Sequence, residues 1–115
     1  MSKSTKRDDI LMSTLKLSVE KGIQGISMND IALEANVGMG TIYNYFETKE
    51  VLLTSLFDML KDKFINIIIS NYSFQIDPCM NFKNIVVVLV KYYIANADEF
   101  SYLERYSDSR LRFGK

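Results

Sequence analysis

The sequence predicts an all-α fold, and three observations carry the prediction. Apolar residues recur at intervals of three and four over most of the chain, and helix-start residues (Ser27, Thr48, Asp77-Pro78) stand ahead of those stretches. The one β-branched run, Val86-Val87-Val88-Leu89-Val90, would suit a buried strand as well as a buried helix, but it has no second strand-like segment to pair with. The expected architecture is a three-helix head over residues 1–47, then a long linking helix and further helices over residues 48–115.

The elements follow in order. Residues 8–21 make the first helix, with Ile10, Leu11, Thr14, Leu17 and Ser18 on or near its inner face and Gly22 as its stop. Ser27 followed by Asp30 is a capping-box-like start for a second helix over 28–35, the short Asp standing in for Glu or Gln. Asn36 falls at a bend that needs a left-handed backbone, which Asn tolerates better than most residues. A third helix spans 38–45. Ile31, Ala35, Val37, Ile42 and Tyr45 form the apolar set where the second and third helices cross, and the small Ala32 sits where their backbones come closest.

Thr48 caps a fourth helix that reaches about Ser70. Its Leu52, Leu53, Leu56, Phe57, Leu60, Phe64, Ile67 and Ile68 recur as one long buried stripe. The connector 72–78 holds the only proline, and Asp77-Pro78 suits the cap and first position of a fifth helix. That helix takes in the β-branched run, because apolar character continues through Tyr92, Tyr93 and Ile94 to a helical length. Asn96 or Asp98 starts a sixth helix carrying Phe100, Leu103 and Tyr106. The residues after Ser107, DSRLRFGK, read as too short and too polar to add a helix of consequence.

Composition bounds the function. A chain of 115 residues with 48% hydrophobic content can bury one core. Cys79 is the only cysteine and histidine is absent, so an internal disulfide is impossible and Cys/His metal sites have no ligand sets. Without histidine, clustered carboxylates or a phosphate loop, no catalytic set can be assembled, so neither an enzyme nor a cofactor is expected. The N-terminus is polar and charged through Asp9, unlike a signal peptide. The longest apolar run, Ile85 to Val90, is far too short to span a bilayer. A soluble protein in a reducing, cytoplasmic setting is expected. Charge gives no general basic footprint: 14 basic residues balance 14 acidic ones, and residues 1–50 carry 6 against 7. What remains is local, with Lys3, Lys6 and Arg7 ahead of the first helix and Lys49 at the start of the fourth.

The ordered set Ile31-Ala32, Ala35, Val37, Gly40-Thr41-Ile42-Tyr43, Tyr45-Phe46 and Lys49-Glu50, with Ile10-Leu11, Leu17 and Gly22 before it and Leu52 after it, resembles the N-terminal signature of the tetracycline-repressor (TetR) family. Asn36 stands in place of the family's usual turn glycine, Ser18 in place of a core aromatic, and Gly38-Met39 in place of a small polar residue and its variable neighbour. The resemblance implies a helix-turn-helix that binds double-stranded DNA in the major groove. Its DNA-binding residues would be Ser27, Gly38, Met39, Gly40, Thr41, Tyr43, Asn44, Tyr45 and Lys49.

Each of these has a plainer alternative. Tyr43 and Tyr45 place hydroxyls on phosphates or are half-buried core aromatics. Thr41 and Asn44 meet phosphates or base edges from the outer face of the third helix, or are ordinary surface residues. Met39 reads a thymine methyl or is merely tolerated. Gly38 and Gly40 admit the DNA backbone or allow tight helix packing. Ser27 is a cap whose helix terminus also faces an anion, and Lys49 is a cation at a helix start that a phosphate would explain.

From residue 48 on, the resemblance implies the start of a ligand-binding and dimerisation domain. Phe57, Tyr92, Tyr93, Phe100 and Tyr102 are candidates to line a pocket for a small apolar or aromatic effector, with packing in the core as the alternative for each. The family's proteins are longer than this chain, and the helices that build their dimer interface have no counterpart in it. Apolar faces over 52–106 would then drive homodimerisation, and a two-fold dimer implies a palindromic operator. The expected function is a repressor released by an effector. The alternative is a truncated helical module that binds a protein partner or a full-length relative without binding DNA itself.

Overall fold

The computed structural model describes the backbone of residues 5–113 and the side chains of residues 5–108. Six α-helices follow one another: α1 (Lys6–Lys21), α2 (Met28–Ala35), α3 (Met39–Tyr45), α4 (Lys49–Ser70), α5 (Pro78–Ala95) and α6 (Ala97–Phe113), with a short 3-10 turn over Ile23–Gly25. No strand occurs among the described residues, and no described helix is long and apolar enough to cross a membrane.

Local chemistry sets most boundaries. α1 begins two residues before the predicted start because Thr5 and Asp8 form a reciprocal capping box, so Lys6 and Arg7 lie inside the helix rather than ahead of it. Gly22, at φ 85°, ends it. Asp77 accepts from the Cys79 amide and Pro78 opens α5, as the sequence predicts. At the far end of α5, Asn96 turns the chain back within a single residue, and its amide reaches the carbonyls of Tyr92 and Tyr93.

The core is one continuous cluster. Ile10, Leu11, Leu15 and Leu17 of α1, Ile31 and Ala32 of α2, and Ile42 and Phe46 at α3 meet Leu52, Leu53, Leu56 and Leu60 of α4 and Tyr102 and Tyr106 of α6. Thr14 and Ser18 are buried in it, each hydroxyl returned to a carbonyl of its own helix, Ile10 and Leu15 respectively. Tyr102 is fully buried and donates its hydroxyl to the Leu53 carbonyl at 2.7 Å. Burial, with Tyr106 beside it, pushes this phenol's pKa well above the ordinary tyrosine value.

The structure corrects four expectations. Tyr45 is exposed rather than part of the crossing set; Phe46, four residues after the buried Ile42, takes the inner place. Of the α4 stripe only Leu52, Leu53, Leu56 and Leu60 are buried; Phe57 is half-buried, as are Phe64, Ile67 and Ile68, where α5 covers that end incompletely. The β-branched run is helical but not buried, with Val86, Val87 and Val90 exposed. Finally, α6 does not end near Ser107 but runs on to Phe113. Extending an existing helix escapes the cost of nucleation, and residues 108–113 contain neither Gly nor Pro to stop it.

One buried polar residue organises the connector between α4 and α5. Asn81, only 3% exposed, donates from Nδ2 to the Ser73 carbonyl at 2.7 Å and accepts from the Ser73 amide at 2.9 Å. Replacing Asn81 by Ala removes both bonds and strands two backbone groups, so the protein should lose roughly 2 kcal/mol. Urea unfolding should show a lower midpoint at an unchanged slope; an unchanged midpoint would show that the pair does not hold the connector.

Candidate nucleic-acid interface

The helix-turn-helix is built by two turns of defined geometry. Asn36 adopts φ 58°, ψ 47°, the left-handed conformation expected of it. Its amide bonds the Leu33 carbonyl and the Val37 amide bonds the Ala32 carbonyl, at 3.2 and 3.0 Å, the double closure of a Schellman turn. At the other end of α2, Ser27 Oγ accepts from the Asp30 amide at 3.1 Å while Asp30 returns its carboxylate to the Ser27 amide at 3.0 Å. The sequence-predicted capping box is therefore present in full. These hydrogen bonds from Ser27 hold the Asp30 carboxyl below the ordinary aspartate pKa, helped by Lys21 and Lys49 nearby.

α3 has one inner and one outer face. Ile42 is completely buried and Phe46 nearly so. Met39, Gly40, Tyr43, Asn44 and Tyr45 are exposed, and Thr41 is half-buried. Tyr43 and Tyr45 keep 47% and 45% of their surface. Gly38 is the N-cap of α3 and contributes no side-chain cap. A methyl group added at Gly38 or Gly40 would meet nothing within 4 Å, so internal packing does not require either glycine. Lys49 is the first residue of α4, half-buried, behind a Thr48 cap whose hydroxyl accepts from the Val51 amide at 3.1 Å.

One residue near this face escaped the sequence reading as a site candidate. Arg7 of α1 lays its guanidinium over the Phe46 ring, 5.3 Å from the centroid. The basic residues near the N-terminus were visible in the sequence, but the long-range contact with Phe46 was not. Lys3 lies outside the described residues.

The five aromatic residues considered for a pocket fall into two groups. Phe57 stacks on Tyr106 with ring centroids 4.7 Å apart, and Tyr102 lies beside Tyr106 in the core. Phe100 is the hub of the other group, edge-on to Phe64, Tyr92 and Tyr93 at 5.3 to 5.5 Å.

The family model for bacterial regulatory proteins of the tetR family matches residues 10–56, the span that contains both turns and the outer face of α3. Residues 10–56 thus carry the N-terminal region of the tetR family. Among tetR-family structures, a transcription regulator from Shewanella sp. PV-4 superposes with a TM-score of 0.83 at 32% identity, over 90% of this chain and 55% of that one. A second, from Marinobacter aquaeolei VT8, gives 0.85 at 25% identity, over 90% and 54%. In sequence, the HTH-type transcriptional regulator YuxN of Bacillus subtilis (strain 168) is 39% identical over 54 residues, 47% of this chain and 19% of YuxN. An HTH-type transcriptional regulator of Staphylococcus aureus (strain USA300) is 51% identical over 37 residues, 32% of this chain and 20% of that one. The chain thus matches about half the length of those tetR-family structures and about a fifth of these two relatives.

Two substitutions probe this geometry. Gly40→Ala should stabilise the free protein by roughly 0.5–1 kcal/mol, since the helix gains an alanine where nothing obstructs it; a lower thermal midpoint would contradict the open space around Gly40. Ser27→Ala should cost about 1 kcal/mol at neutral pH. Because Asp30 titrates lower in the folded than in the unfolded state, its contribution is present above the unfolded value of about 3.9 and is lost as pH falls through the folded one. The cost of Ser27→Ala should therefore shrink between pH 6 and about pH 3, measured by chemical denaturation at each pH.

Proposed function

We propose that this chain is a sequence-specific DNA-binding transcription regulator of the tetR family, a repressor that a small apolar or aromatic effector releases. The division of α3 carries the reading: Ile42 and Phe46 anchor the helix in the core, so its polar and aromatic residues turn outward on a rigid support. In this reading α3 enters the major groove, where Thr41 and Asn44 meet base edges or phosphates and Met39 touches a thymine methyl. Tyr43 and Tyr45 place their hydroxyls on phosphates, their rings half-covered by the head. Lys49 and the first turn of α2, behind Ser27, take phosphates, and Gly38 and Gly40 let the strand come close.

The regulator acts as a homodimer on a palindromic operator, with residues 1–47 as the reading head and residues 48–115 as the coupling and dimerisation unit. Support for self-association comes from α5, where Phe82, Val86, Val90 and Ile94 leave apolar side chains in water along one side. Tyr92, Tyr93 and Phe100 would wall the effector site, with Phe57 and Tyr102 behind them.

With so neutral a head, affinity rests on a few phosphate contacts. Tyr43→Phe combined with Lys49→Ala should weaken binding to the upstream region of the protein's own gene by about tenfold or more, and should lower the salt slope by about 0.9 for each phosphate that is no longer neutralised. Fluorescence anisotropy across a salt series reads both, and binding unaffected by the double substitution would refute the assignment. Sedimentation at low concentration should show a dimer; a clean monomer would remove the α5 association.

A further inference from the structure

Arg7 carries a charge in a place that α1 by itself does not favour. The capping box of Thr5 and Asp8 fixes the first turn, which makes Arg7 the second residue of the helix, where the macrodipole opposes a cation. Asp8 and Asp9 adjoin it in the chain. Yet among the described residues the Arg7 guanidinium makes no ion pair and no hydrogen bond. What it has is a ring, with its central carbon 5.3 Å from the centroid of Phe46. Phe46 closes α3 and is buried in the core, so the arginine leans on a fixed support. Contact with an aromatic face consumes none of the N–H donors of a guanidinium. Arg7 is itself exposed, and its donors stay available to a partner from outside the chain.

The neighbours of Phe46 say what that partner is. The Tyr45 ring lies 6.4 Å from the Phe46 ring, and Lys49 follows three residues later as the first residue of α4. Tyr45 and Lys49 are residues that the proposed regulator sets against phosphates, and Arg7 brings a cation beside them from a different helix. A guanidinium offers its N–H groups as a fork that matches two phosphate oxygens, and a side chain already held on a ring loses less freedom when it binds. We infer that Arg7 is a phosphate-contacting residue of the DNA-binding face, held by the Phe46 ring at the end of α3. A phosphate contact is blind to base sequence, so Arg7 sets the height and tilt of the head on the duplex and does not choose the operator. Because the ring that holds Arg7 also ends α3, the contact ties the DNA strand to one end of the reading helix. The inference rests on the DNA-binding reading of α3 and adds to it a residue of α1.

The test is fluorescence anisotropy of the full chain, over a salt series that starts low, with two labelled duplexes: the region upstream of its own gene and a scrambled duplex of the same length and composition. Arg7→Gln should weaken binding to both duplexes by a similar factor, about fivefold, and should lower the salt slope by about 0.9. Arg7→Lys keeps the charge without the planar fork, so it should keep the slope while weakening both duplexes about threefold. A role limited to covering Phe46 would instead lower the thermal midpoint of Arg7→Gln and leave its salt slope at the wild-type value. Circular dichroism checks the fold of each variant. Should Arg7→Gln lose its helices, Arg7→Met, which keeps an apolar stem over Phe46, takes its place with the same expectation. Where the wild type binds, an unchanged slope in the neutral variant, or a loss confined to the upstream duplex, overturns the inference and leaves the DNA-binding reading standing. A wild type that binds neither duplex overturns that reading and the inference with it.

Discussion

A phenol carried into the middle of a helical bundle must find an acceptor there, and the rest of this structure depends on how Tyr102 meets that demand. Its hydroxyl reaches the Leu53 carbonyl on the second turn of α4, and one helical turn later Tyr106 meets the Thr54 hydroxyl at 2.8 Å. Two bonds at this spacing fix both the rotation and the height of α6 against α4. With α6 so placed, Arg105 comes within 3.4 and 3.5 Å of the Ser18 and Val19 carbonyls at the end of α1, where a cation complements the negative end of the helix dipole. The last described helix therefore closes the core of the first. Ile10 and Tyr102 belong to the same apolar cluster although ninety-two positions separate them in the numbering.

The head was legible in the sequence because its determinants are local. Ser27 with Asp30, Asn36 and Gly22 each act within a few residues, so their types at their spacing define caps and a left-handed turn before any tertiary contact forms. The helix-level reading of α4 and α5 succeeded for the same reason at Thr48 and at Asp77-Pro78. Burial was harder to read. Tyr45 and Phe46 are adjacent aromatic residues, and which one faces inward depends on the phase of a seven-residue helix set by Ile42. Periodicity likewise cannot say that the apolar side of α5 stays uncovered, because covering requires a partner that the pattern itself does not specify. Asn81 was missed because its bonds are made to the backbone of Ser73, a pairing with no signature in residue type.

The candidate DNA-binding face shows how a chain with no net charge can present a local field. Lys21 ends α1 and Lys49 begins α4, and the fold brings both near enough for their charges to act on the Asp30 carboxyl. Neither lysine is conspicuous in a count of charges over residues 1–50. Their convergence is a product of the fold, as is the placement of Arg7 over Phe46. The acids on the neighbouring helices are partly engaged elsewhere, Glu34 on Lys16 at 2.9 Å across α1 and α2, an exposed pair that adds little stability of its own.

The valines of α5 have a dynamic consequence. β-Branched residues lose side-chain freedom in a helix and favour it less than straight-chain residues do, and burial ordinarily compensates. Here Asn81 is the one residue of α5 that is fully buried, while Val86, Val87 and Val90 face solvent. The helix is therefore held at its ends, by the Asn81–Ser73 bonds and by Tyr92 on Glu99, and lightly between them. Its amides should open in a local fluctuation well below the free energy of global unfolding, leaving α1, α4 and α6 closed. A partner that covers the valines would first be felt as slower hydrogen exchange across this span.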